Sequence, residues 1–251
     1  MPWTFSHPAV VFPIKQSKIG QWLSLPALIL GSISPDLLYS FGLYQLATDA
    51  HSILGWLYIG LPLCLLIHWA VCKLETPLST VVPFPIKKIQ AYSLRYGLVL
   101  IISFFIGALT HIFWDALTHE TGAAVRYWPF LQLKLHMTDK QEIGIYKILQ
   151  HLGSLLGLLY LSYQYWRYHK RQPDIQRYEN GDKVKKIFII GIFSSLFAFP
   201  IAYHFSPKLP TLNLNRFVYL ELTIIVPIFF FILIGYGFFK VYRKNSAPNY
   251  N

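Results

Sequence analysis

The chain has 251 residues, of which 54% are hydrophobic, 17% aromatic and only 13% charged, against about a quarter charged in an ordinary soluble domain. Its apolar residues come in blocks close to twenty long, the length that a bilayer core demands, so a purely soluble architecture is excluded. The formal net charge of +11 lies in the short segments between those blocks, which ties it to membrane topology and gives no reason to expect a nucleic-acid partner.

The first fifty residues hold the apolar stretch "WLSLPALILGSIS", residues 22–34, which is short for a crossing and contains Pro26. Read as a signal-peptide core, it would be cut after Ser34 with Pro35 beside the cut, a poor site. A re-entrant or buried half-helix is expected, with a sixth true crossing as the alternative. If it does not cross, His7 shares a membrane side with Asp36 and His51. If it crosses, Lys15 and Lys18 suit a cytoplasmic N-terminus and His7 is stranded.

Five further segments read as spans: about 52–72, 96–117, 145–166, 187–206 and 217–239. Pro62, Pro200 and Pro227 fall inside them, and membrane helices tolerate proline where neighbours re-satisfy the freed backbone groups. The fold class expected is all-α, a polytopic transmembrane bundle forming one integral membrane domain over 1–251. Within it, 1–50 form the N-terminal segment, 51–166 the motif-bearing spans and 167–251 a C-terminal pair.

Lysine and arginine collect in cytoplasmic loops. The 73–95 connection carries Lys73, Lys87, Lys88 and Arg95, and the 167–186 connection carries Arg167, Lys170, Arg171, Arg177, Lys183, Lys185 and Lys186. With Lys240, Arg243 and Lys244 they put the C-terminus in the cytoplasm of a multi-pass inner-membrane protein. The 118–144 and 207–216 connections then face outward. Trp128 and Trp166 fit an interfacial aromatic belt. Cys64 and Cys72, about 12 Å apart on one helix, are too distant for a disulfide. Glycine-rich phosphate loops and a serine nucleophile elbow are absent.

In "GALTHIFWDALTHETG", residues 107–122, His111, Asp115 and His119 follow at four-residue intervals. Each step turns a helix by about 400°, so the three share one face with roughly 40° between neighbours. Imidazole and carboxylate suit zinc first, with manganese as the alternative, and further ligands must come from other segments. Asp36, His51 and His151 map to the same outer ends, and His7 joins them if residues 22–34 do not cross. Ionisable groups at membrane depth are costly and default to function.

Plainer roles stand beside these. His111 or His151 would serve as interhelical hydrogen-bonders, Asp36 as an N-cap, and Asp115 as the partner of its two histidines without any metal. Glu221 has Arg216 or a polar cavity as its expected surroundings, and Arg126 suits a phosphate or a plain rim charge. His68 and His169 lie on the cytoplasmic side, while His136 and His204 have no evident partner.

Five motifs in order, "MPWTFSHPAVVFPI", "LILGSISPDLLYSF", "DAHSILGW", "GALTHIFWDALTHETG" and "YKILQHLGSLLGL", resemble the bacterial membrane-protein family DUF4184 over roughly residues 1–240. That family is similar in turn to predicted membrane-bound metal-dependent hydrolases and, more distantly, to zinc-dependent phospholipases C. The resemblance nominates His7, Asp36, His51, His111, Asp115, His119 and His151 as divalent-metal ligands, with Asp36 or Asp115 as general base. A hydrolytic site at headgroup depth on the outer face meets lipids first, so a phospholipid or another amphiphilic phosphate ester is the expected substrate. The competing expectation is a non-enzymatic metal or ion transporter, or a structural partner, that carries the same polar cluster.

Overall fold

The computed structural model describes residues 4–86, 93–138, 141–206 and 214–246. Lys87 and Lys88 of the basic connection, and most of 207–216, lie outside the described residues.

Apart from one hairpin the described chain is helical. In order come 3-10 turns over Thr4–Val10 leading into α1 (Val11–Gln16), then α2 (Leu25–Leu37) and α3 (Tyr44–Asp49). Next are α4 (Ile53–Lys73), α5 (Glu75–Ser79), α6 (Leu94–Thr118), α7 (Ala123–Tyr127) and α8 (Pro129–Gln132). After the hairpin come α9 (Ile145–Lys170), α10 (Asp174–Phe205) and α11 (Leu214–Ser246). Four helical stretches are long and apolar enough to cross a membrane: Ile53–Lys73, Leu94–Tyr127, Asp174–Phe205 and Arg216–Ser246. They expose large apolar side chains such as Phe113, Phe188, Leu196 and Phe231, a surface that water would penalise and lipid would not. The fifth expected span is the helix α9, whose length suffices but whose central Gln150, His151, Ser154 and Gln164, with its tyrosines, make its apolar stretch more polar than those of the other four. Pro200 and Pro227 sit within continuous helices, and both cysteines are free, as expected.

The departure from all-helical structure is a small antiparallel hairpin, β1 (Lys134–Thr138) with β2 (Gln141–Gly144), inside the 118–144 connection. His136 stands opposite Glu142 there, with Nδ1 3.2 Å from the carboxylate. Sequence spacing alone gave that histidine no partner.

The chain forms two compact units. The first comprises Met1–Leu37, Tyr44–Leu66 and Tyr92–Arg167. Its centre is the pair α2 and α6, which run parallel in close contact: Ser103 Oγ accepts from the Ser24 amide at 2.9 Å, and Asp36 reaches His111 further along. Two glycines permit the approach. A Cβ on Gly31 would strike the Phe104 carbonyl, and one on Gly107 would strike the Leu28 carbonyl, the small-residue contact typical of membrane helices. Ala27, Trp56, Cys64, Leu100, Phe104 and Ala108 fill the surrounding core. Trp56 begins a π-helical turn over Trp56–Gly60 and donates from Nε1 to Ser34 Oγ at 2.8 Å.

The N-terminal segment is a helical hairpin. Thr4–Gln16 runs along α2, the chain turns where Lys15 Nζ donates to the Gln21 and Leu23 carbonyls, and α2 returns. The two ends meet again, with Thr4 Oγ1 donating to Asp36 Oδ2 at 2.6 Å across 32 residues of sequence. At about 1.5 Å per residue, the thirteen residues of α2 extend only about 20 Å.

The second unit comprises Leu38–Leu43, Ile67–Ala91 and Tyr168–Asn251. In it α10 and α11 pack around Val81, Val82, Ile190 and Leu233. Lys183 and Lys240 donate to the Ser79 and Thr80 carbonyls at the C-terminal end of α5, each at 2.9 Å, where a cation complements the helix dipole. Glu221 accepts at Oε1 from Ser195 Oγ on α10 at 2.8 Å.

Candidate metal centre

The parallel α2–α6 contact carries Asp36 from the last turn of α2 and His111 and Asp115 from the last turns of α6 to one place. The link between α3 and α4 adds His51. One ligand atom from each of Asp36, His51, His111 and Asp115 lies within 4.8 Å of all the others. His51 Nε2 is 3.2 Å from Asp36 Oδ1 and 3.4 Å from Asp115 Oδ2. His111 Nε2 is 3.3 Å from Asp115 Oδ2 and 3.7 Å from Asp36 Oδ1. Asp36 is therefore no N-cap, since its two oxygens face Thr4 and the histidines.

The imidazoles are oriented from behind. His51 Nδ1 is 2.7 Å from the Ala47 carbonyl, and His111 Nδ1 is 2.8 Å from the Ser32 carbonyl. A carbonyl only accepts, so each Nδ1 carries the proton and each Nε2 lone pair faces the carboxylates. Lone pairs opposed to carboxylate oxygens repel unless a proton or a cation lies between them. His111, fully buried, leaves Nε2 without a hydrogen bond, as do His7 at Nε2 and Asp115 at Oδ1. Buried polar atoms left open in this way, with Nδ1 fixed by a backbone acceptor, form the arrangement of a metal-ligating histidine. Ligand atoms of a tetrahedral ion held at about 2 Å stand about 3.3 Å from one another, close to the 3.2–3.7 Å nitrogen–oxygen separations here, so small closure suffices to hold one.

Electrostatics agree. Burial alone would lower the His51 pKa, but the Asp115 and Asp36 carboxylates outweigh it and hold the imidazolium up to about 11. In the metal-free protein His51 thus supplies the missing positive charge. Burial, reinforced by neighbouring His111, pushes His7 down to about 3, leaving it neutral with its lone pair available.

Six of the seven nominated residues come together. His7 stacks on His111 with ring centres 3.9 Å apart. His119, at the C-terminal cap of α6, places Nδ1 3.4 Å from Asp115 Oδ1. His151 is the exception: it is exposed on α9, while the buried Gln150 before it turns inward, its amide donating to His119 Nε2 at 3.2 Å. Adjacent helical residues point about 100° apart, so α9 cannot present both. Sequence reading missed Gln150 and Thr4, whose types carry no metal signature and whose roles depend on who faces them. Arg126 is exposed near the end of α7.

Beside the cluster lies an apolar pocket of about 380 Å³, lined among others by Ser6, His7, Trp114, Leu156 and Tyr160.

Fold and site together define a helical protein with membrane-type spans and a buried His/Asp group able to bind a metal ion. The chain belongs to the family described as Domain of unknown function (DUF4184), whose sequence profile matches residues 1–235. No curated protein and no solved structure matches it.

Proposed function

We propose that this protein is a metal-dependent hydrolase embedded in the bacterial inner membrane, cutting a phospholipid or another amphiphilic phosphate ester at the outer face. The observation that carries the reading is the convergence of Asp36, His51, His111 and Asp115, two of whose imidazoles are pre-set by backbone carbonyls to offer Nε2. This mixed nitrogen and oxygen set suits zinc, with manganese the second choice. A divalent ion there would supply Lewis acidity and bring the pKa of water toward neutrality.

The protein's own groups do the remaining work. His51 and His111 orient the ligand field, Thr4 holds Asp36 from behind, and Gln150 holds His119. Asp36 and Asp115 are the candidates for general base. The pocket beside His7 would receive the acyl chain of a substrate whose phosphate reaches the cluster. Outer-face placement rests on the basic connections, which put the 94 end of α6 in the cytoplasm and the 115 end opposite. The N-terminal hairpin, whose ends return to one place, supports a re-entrant segment and keeps His7 with Asp36. In the first unit the His/Asp contacts gather at that one end, which favours a one-sided reaction site over a transport path.

The test is metal analysis of detergent-purified protein beside His111→Ala and Asp115→Ala, followed by assay of headgroup release from vesicle phospholipids. The proposal expects bound zinc or manganese in wild type, loss in both variants, and turnover that chelation abolishes. Equal metal content in all three sinks the site. Metal without turnover on any phosphate ester leaves a non-enzymatic protein.

A further inference from the structure

The buried end of the cluster holds more donor atoms than one ion can use. His7 and His111 both leave Nε2 without a hydrogen bond, and so does Asp115 at Oδ1. The His7 side chain is 3% exposed and Nε2 is aimed at Asp115 Oδ1, 3.9 Å away.

An ion bound by an imidazole lies near the ring plane, about 2 Å from its nitrogen. The His7 and His111 rings stack at 3.9 Å with planes 21° from parallel. Such planes meet at 3.9 Å divided by the tangent of 21°, about 10 Å away, well beyond that reach. One ion cannot serve both rings. His51 and His111 differ: their planes stand at 64°, and both Nε2 atoms face the same Asp115 oxygen, Oδ2, at 3.4 and 3.3 Å. Asp115 divides the donors in the same way. Its Oδ2 lies 3.4 Å from His51 and 3.3 Å from His111, while its Oδ1 faces His7 and lies 3.4 Å from His119.

From this sorting we propose that the cluster is a dinuclear centre bridged by Asp115. The first ion takes Asp36, His51, His111 and Asp115 Oδ2. The second takes His7 and Asp115 Oδ1, with the His119 imidazole beside it, its Nε2 already accepting from Gln150. The 3.9 Å stacking distance matches the separation of about 3.5–4 Å found in two-metal phosphoryl-transfer sites. Since His7 also lines the apolar pocket, the second ion stands between the pocket and the first ion, where it would meet the phosphate of a chain-bearing ester. This inference rests on the metal-site reading above and fails separately from it.

The deciding experiment loads the detergent-purified full chain with Zn²⁺, desalts it and counts zinc per chain by mass spectrometry. Wild type and His151→Ala are expected to hold two ions, and His7→Gln and His7→Ala one. Manganese-loaded wild type is expected to give the electron paramagnetic resonance spectrum of an exchange-coupled pair, and His7→Gln that of an isolated ion. One ion in wild type, unchanged in His7→Gln, overturns the second site and leaves the single-ion reading intact. No ion in wild type overturns both. Two ions in His7→Gln overturn the assignment of His7. If both His7 variants aggregate, wild type decides alone, because an isolated-ion spectrum at two equivalents of manganese also overturns the pair.

Discussion

Loading the metal-free protein with zinc at pH 7 should expel a proton, and the structure sets how much that costs. His51 is held protonated up to about 11 by the Asp115 and Asp36 carboxylates, the same oxygens a cation would approach. To ligate, its Nε2 must give up a proton four units above its working pH, at about 1.36 kcal/mol per unit, or about 5 kcal/mol in all. Apparent affinity should therefore rise about tenfold per pH unit from pH 6 to 9. Calorimetric titration in buffers of different ionisation enthalpy should count about one proton released per ion at the first site. In His51→Ala the count from this residue disappears and affinity falls, while the pH slope flattens. Zinc binding with no proton release and no pH slope would refute the assignment of His51 as both the resident cation and a ligand.

The orienting groups make further predictions. Thr4→Val should weaken metal affinity about 10- to 100-fold, as loss of a group that positions a ligand does, whereas His151→Ala should leave it unchanged in the same zinc competition assay. Gly107→Leu places carbon against the Leu28 carbonyl and should cost about 1–3 kcal/mol, read as a lower unfolding midpoint in detergent together with loss of metal. In the metal-free protein His7 has its pKa depressed to about 3. The unfolded chain takes up that proton as pH falls below about 6.5 while the fold refuses it, so this residue removes stability between about 6.5 and 3. His51, with its pKa raised, contributes stability that is complete below about 6.5 and lost as pH rises toward 11. Thermal unfolding of metal-free His7→Phe should show a shallower acid limb than wild type, and an identical limb would count against this account.

Periodicity carried the long helices because a bilayer-length apolar run is a coarse, local signal. The same holds for His111 and Asp115, whose four-residue spacing on one helix puts them together whatever the rest of the chain does. Asp36 and His51 were legible only through topology, as residues mapped to the same ends of different helices. What escaped depends on direction rather than position. His151 and Gln150 differ by one residue and about 100° of helix rotation, and nothing local says which of the two faces α6. The Lys134–Gly144 hairpin escaped for a related reason, being a short polar segment with no strong alternation. Thr4 is held to Asp36 by a turn that brings back residues 32 positions apart, a contact without any local signature.

That turn also explains why the N-terminal segment is built as it is. A straight crossing over residues 22–34 would separate His7 from Asp36 by the thickness of the membrane, and a shorter chain beginning at α2 would supply Asp36 alone. Folding Thr4–Gln16 back along α2 returns His7 to the ends of α2 and α6, while Gly31 and Gly107 let α2 lie near enough to α6 for Asp36 to reach His111. Each half of the hairpin thus delivers one ionisable side chain to the same buried point. Neither would be stable there alone, since a lone buried carboxylate or an imidazole with an unmet nitrogen costs several kcal/mol by itself. The close helix contact and the returning strand of chain are consequently one device. A substitution that opens the glycine contact should release His7, Asp36 and the bound ion together, whereas an independent loss of any one of them would show that the hairpin and the site are not coupled.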